Sequence, residues 1–199
     1  MGRDSGDAGR RGRSELTVIF DATALLLLVA PKAATPKDSK GNPIKYAKQR
    51  IDGEVDTLGR AKTKIIIPTP ALSEALVRAG QAAATEYVRL ISKSARFRIE
   101  SFDERAALEL ALMTKQAIDK GQKRSGSDQT WAKVKFDRQI IAIAKVNKAA
   151  VIYTDDKNLR AFAYANGLRA VSVAELPVPQ KHAQMDMLEP KDDEDPSPA

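Results

Sequence analysis

Acidic residues stand at four places in this chain where chemistry could be assembled. Asp21 directly follows an apolar run, LTVIF at 16–20. Glu74 lies four residues after Pro70, expected in the first turn of a helix that follows a second run, KIII at 64–67. Asp155 and Asp156 directly follow a third run, AAVIY, and Asp137 lies in the segment leading into it. Carboxylates gathered at one place repel one another and raise each other's pKa until a cation neutralises them. A ligand set made only of oxygens selects hard ions, Mg2+ or Mn2+. Such a site suits phosphodiester hydrolysis, because the ion polarises the phosphate, acidifies a bound water and steadies the leaving oxygen. Each acid also has a structural reading. Carboxylates after strands commonly cap helices by accepting free backbone N–H groups. Asp21, with Thr23 behind it, and the Asp155–Asp156 pair fit that role as well.

Other chemistries lack their parts. The sequence has no cysteine and a single histidine, His182, beside the Pro-rich C-terminal end. Disulfides, thiolate zinc sites and cysteine nucleophiles are excluded, and a Ser-His-Asp triad or histidine pair has no candidates. The net charge of +7 is uneven: residues 186–199 carry a balance of −5, leaving +12 on the rest. A body so basic attracts polyanions, nucleic acid first among them, although a basic surface also serves solubility. Lys133, Lys135 and Arg138 surround Asp137 and suit phosphate contact; a solvated helix face is the alternative. Arg78 follows Glu74 at the i,i+4 spacing of a salt bridge. Thr154 and Thr69 could hydrogen-bond the acids or cap helices. Trp131 reads as a core residue before it reads as a base-stacking one.

The elements that must position these residues alternate in type. Strands are expected at 16–20, 64–67, 96–100, 149–154 and 170–173, from β-branched runs or period-two alternation. Helices are expected after Asp21, over 46–60, from Ala71 to Gly80, and over 82–91. Further helices run from a capping box at Ser101–Glu104 to Ile118, from Val134 to Asn147 with Phe136, Ile140 and Ala144 inward, and from Asp156 to Asn166. Residues 31–44 and 121–130 read as loops. Residues 1–14 read as a flexible arm, 15–177 as one domain and 178–199 as an acidic tail. This order predicts an open, mostly parallel sheet covered by helices on both faces. Ligands of such sheets bind at the C-terminal strand ends, where most of the acids lie.

Four stretches in order carry a family resemblance. LTVIFDATALL, IIIPTPALSEAL, KFDRQIIAIAKVNKAAVIYTDDKNL and GLRAVSVAEL resemble the PIN-domain nucleases over residues 16–177. The resemblance implies a three-layer α/β/α fold and metal-binding acids at Asp21, Glu74, Asp137 and, at the fourth position, Asp156, with Asp155 an extra neighbour. It places Thr23 and Thr154 beside them as polar substrate contacts. It implies RNA as substrate, Mg2+ or Mn2+ as cofactor, and, as in many small bacterial members, a toxin held by a cognate antitoxin and a homodimer. The segments 31–60 and 121–130 are longer than in compact members, which leaves substrate open.

Rival readings are weaker in the residues. A phospho-receiver-like regulator wants paired acids after the first strand and a lysine after a late one; neither is present. A phosphatase with an Asp nucleophile wants a second Asp two residues after Asp21, where Thr23 stands. A non-catalytic RNA-binding or scaffold relative suits the basic body equally. Arg10, Arg11 and Arg13 before an apolar stretch imitate a signal peptide, but Asp21 interrupts it and its length falls short of a bilayer. A cytoplasmic protein without membrane contact is the expectation.

Overall fold

The computed structural model describes residues 16–30, 32–121 and 130–180. Expectations placed on the arm, the Trp131 side chain, residues 122–129, His182 and the acidic tail lie outside the described residues. Among the described residues five strands and seven helices follow in chain order: β1 (Thr17–Phe20), α1 (Ala22–Val29), α2 (Ala47–Arg60), β2 (Lys64–Pro68), α3 (Thr69–Ala79) and α4 (Gln81–Lys93). Then come β3 (Phe97–Glu100), α5 (Glu104–Asp119), α6 (Trp131–Val146), β4 (Val151–Tyr153), α7 (Lys157–Ala165) and β5 (Arg169–Val171), closed by a 3-10 turn at Val173–Glu175. Among the described residues no helix is long and apolar enough to cross a membrane.

The strands form one sheet in the order β3-β2-β1-β4-β5, every pair parallel. Period two decides which residues meet which helices. Val18, Phe20, Ile65, Ile67, Tyr153 and Val171 face a core with α1, α2 and part of α3. Ile19, Ile66, Ile152 and Ala170 face the other, built from α5, α6 and α7. Both faces are covered, so the inner strands β1, β2 and β4 are almost wholly apolar, whereas the edge strand β3 alternates with Arg98 and Glu100. The expected three-layer α/β/α fold is the observed one. Strand order reverses direction between β1 and β4, and the crevice at that switch point opens at their C-terminal ends.

Several boundaries differ from the sequence reading. Helix α5 is capped by Asp103, whose side chain accepts from the Ala106 N–H, not by Ser101. The Phe102 N–H is instead engaged by Thr69 Oγ1 at 3.2 Å, which holds the entry to α5 against α3. Helix α3 begins at Thr69, so Glu74 sits in its second turn. Helix α6 begins at Trp131, capped by Thr130, which puts Lys133 in its first turn and Asp137 in its second. Phe136 is 46% exposed rather than inward; Ile140, Ile141, Ile143 and Ala144 bury the face. Gly80 joins α3 to α4 with φ +80°, a conformation that favours glycine.

Helix α2, part of the long segment after α1, is fastened to the end of the domain. Arg50 donates to the Ala174 and Leu176 carbonyls, and the Tyr153 hydroxyl donates to Glu54.

Candidate functional site

Asp21 follows the central strand. Its N–H donates to the Tyr153 carbonyl at 3.2 Å, extending the β1–β4 pairing to the acid itself. Its carboxylate accepts from the Ala24 N–H at 2.8 Å, capping α1, and from Thr154. The Thr154 hydroxyl also accepts from the Asp156 N–H at 3.1 Å, so one buried threonine ties together the ends of β1 and β4. Asp21 is itself buried, and burial is the main force pushing its pKa up to about 7. The Thr154 and Ala24 hydrogen bonds oppose that rise, and the charges of Asp155 and Glu74 add to it.

The remaining acids gather around one ammonium group. Lys133 Nζ lies 3.1 Å from Asp137 Oδ1, 3.4 Å from Asp156 Oδ2 and 3.7 Å from Glu74 Oε2. Burial alone would lower the Lys133 pKa, but the three carboxylates together outweigh it and hold the group firmly charged. Burial also pushes Asp137 up to about 6, against the pull of Lys133 and with the repulsion of Asp156 and Glu74. Asp156 does two things at once. Its Oδ1 accepts from the Asn158 and Leu159 N–H groups and caps α7, while Oδ2 faces Lys133. Glu74 forms the expected i,i+4 pair with Arg78 at 3.8 Å, and Arg78 reaches across to Thr23 Oγ1 at 3.4 Å.

Asp155 points elsewhere. Its Oδ1 accepts from Ser172 Oγ at 2.5 Å and the Val173 N–H at 3.0 Å, bracing the chain after β5. Burial raises its pKa, with those two hydrogen bonds opposing. Arg138 departs from the expectation of a phosphate contact. It is 2% exposed, with its guanidinium 5.5 Å from the Phe162 ring centroid and Nη1 3.4 Å from Thr114 Oγ1. Its seat is between helices rather than at the surface. Lys135 is exposed on the same helix.

Arg78, the partner of Glu74, also lines a groove of about 540 Å3. Lys32, Arg78 and the half-buried Tyr87 supply its polar and aromatic lining; Leu26 and Ala30 form part of its apolar wall. The donor set fits a hard divalent ion: oxygen only, crowded, and in Asp21 and Asp137 reluctant to ionise without a counter-charge. Among the described residues no three such side chains already stand where they could grip one metal ion.

The chain matches the model of the PIN domain over residues 47–174. The protein belongs to the PIN domain family. Asp21 and β1 precede the matched span. Among solved structures the PIN-domain chain is similar to VapBC2 from Rickettsia felis, solved bound to a DNA fragment from its promoter. The identity is 12% and the TM-score 0.52, covering 79% of this chain and 98% of that one. It is also similar to DNA-bound VapBC from Salmonella typhimurium, at 16% identity and TM-score 0.50, over 79% of this chain and 98% of that one. No curated protein matches it by sequence.

Sequence reasoning missed two features of this PIN-domain site: Lys133 as the hub of three carboxylates, and Ser172 as the partner of Asp155. The first had a signal. Lys133 precedes Asp137 by four residues, the spacing that stacks side chains on one helix face. The second had none, because Ser172 meets Asp155 only through the pairing of β4 with β5.

Proposed function

We propose that the protein is a metal-dependent endoribonuclease that hydrolyses RNA phosphodiester bonds, acting as the toxin of a toxin–antitoxin pair. One observation carries the reading. Acids from four separate elements meet at the switch point of a parallel sheet, three of them around a single positive charge. Asp21, Glu74, Asp137 and Asp156 would hold Mg2+ or Mn2+, which supplies charge neutralisation and acidifies the attacking water. The chain's own residues set the stage for this. Thr154 fixes the Asp21 carboxylate, the cap on α7 fixes Asp156, and Arg78 holds Glu74 toward the site. The groove at Lys32, Arg78 and Tyr87 offers cations for the backbone and a ring for a base of single-stranded RNA. Lys135 adds a further exposed cation on α6.

The toxin setting, with a cognate antitoxin and a homodimer, rests on the family resemblance. A second reading is a non-catalytic RNA-binding relative, favoured by the same lysine that already neutralises the acids. The two part on one assay. Purified protein should cleave single-stranded RNA with Mg2+ or Mn2+ and stop with EDTA, and Asp137→Asn should lower the rate by a factor of about 100 or more, as loss of a metal-binding or catalytic group does. Cleavage at full rate in EDTA would overturn the metal reading. RNA binding with no cleavage under any divalent ion would favour the second.

A further inference from the structure

Lys133 is placed unlike an ordinary surface lysine. Its ammonium is shared by carboxylates from three elements: Glu74 of α3, Asp137 of α6 and Asp156 at the start of α7. Exposed ion pairs contribute little because each partner has water as an alternative. Asp137 has no such alternative. Its Oδ1 is buried and has no hydrogen-bond partner of normal geometry, so the ammonium 3.1 Å away is what compensates its charge. The lysine side chain is 32% exposed, so a path to solvent stays open to it. Its four-carbon stem is flexible and rises from the first turn of α6, beside the site rather than inside the sheet.

We propose that Lys133 is the resident counter-cation of the metal-free site, exchanged for the divalent ion and thereby released to contact the phosphate of the RNA. This rests on the nuclease reading above. The exchange follows from charge and space. Were the divalent ion held by Glu74, Asp137 and Asp156, it would take the place that the ammonium now has among them. An ammonium and a dication cannot share it, since like charges a few ångströms apart are strongly unfavourable in a partly buried site. Metal entry therefore costs the three ion pairs, and the freed lysine becomes a cation beside the position of the scissile phosphate. One side chain couples metal loading to substrate capture.

The test uses the full chain and Mg2+ alone as probe. Calorimetric titration at low salt should give Lys133→Met an affinity for Mg2+ about tenfold or more above the parent. In EDTA the same variant should melt lower than the parent, and Mg2+ should raise its melting temperature by more. Lys133→Arg should stay close to the parent, as should Lys135→Met, which removes the same charge from an exposed position on the same helix. Should Lys133→Met fail to fold, the parent alone suffices. Acylation of the Lys133 amine, followed by mass spectrometry, should rise on adding Mg2+. Equal Mg2+ affinity in parent and Lys133→Met, or no rise in amine reactivity, overturns the proposal. Mg2+ binding to Lys133→Met but not to the parent also overturns it, because the lysine would then be a permanent cation. Failure of the nuclease reading looks different: the exchange occurs as described, but RNA is not cut.

Discussion

Asp21 serves two masters with opposite demands on its charge. As the cap of α1 it works best ionised, facing free N–H groups. Buried beside other acids it is more stable protonated, with its pKa pushed up to about 7. The sign of the consequence is fixed. A carboxyl with a raised native pKa favours folding most below about pH 4, and that contribution is lost as pH rises through about 7. Asparagine caps as well as aspartate but cannot ionise. In EDTA, Asp21→Asn should therefore be more stable than the parent at pH 8, by an amount on the order of a few kcal/mol, with the advantage shrinking as pH falls and vanishing only below about pH 4. Cleavage should fall to background. Melting curves at intervals from pH 5 to 8 check the slope; a variant that tracks the parent throughout shows that Asp21 carries no burial penalty.

At the scale of elements, adjacent acids separate because the chain turns between them. Asp155 keeps the parity of Tyr153 and reaches the turn after β5, whereas Asp156 starts α7 and looks back toward α6. Asp155→Ala should lower stability by about 1–3 kcal/mol through its two lost partners, yet leave the cleavage rate of the folded protein nearly unchanged. Asp156→Ala should lose cleavage along with its cap. Urea unfolding and RNA cleavage on the same preparations distinguish them. That distinction was not legible in the sequence, where the two residues are simply neighbours. The strand-end positions of Asp21 and Asp156 were legible, because a β-α connection leaves its first residues at the ligand edge. Phe136 shows the limit of spacing arguments. Steps of four residues advance about 40° past a full turn, so a residue eight positions before Ala144 has rotated off the buried face and into solvent.

For the molecule as a whole, alternation of strands and helices predicted parallel pairing, but nothing local said that β1 would lie between β2 and β4. That order depends on which helices cover which face, a property of the assembled core. The charge distribution, by contrast, needs no fold. Under the nuclease reading, a −5 segment on a chain whose remainder carries +12 would compete with RNA for the same field. Removing residues 186–199 should tighten RNA binding several-fold at low salt, with the gain shrinking as salt rises. Anisotropy titrations of a labelled RNA in EDTA measure it; identical affinities at every salt concentration would make the segment a bystander.

The central place of β1 also bears on the order in which the acid cluster is assembled. One edge of β1 is filled by β2, which begins at Lys64, but the other waits for β4, which begins at Val151. On the ribosome, β1 is thus left half-paired until most of the chain has emerged. Asp137 and Asp156 are likewise synthesised long after Asp21. No nascent fragment short of β4 holds a complete acid set, so a protein that cuts RNA would be harmless to the message and ribosome still producing it. The same delay leaves an unpaired apolar edge open to chaperones or to aggregation for as long as translation lasts.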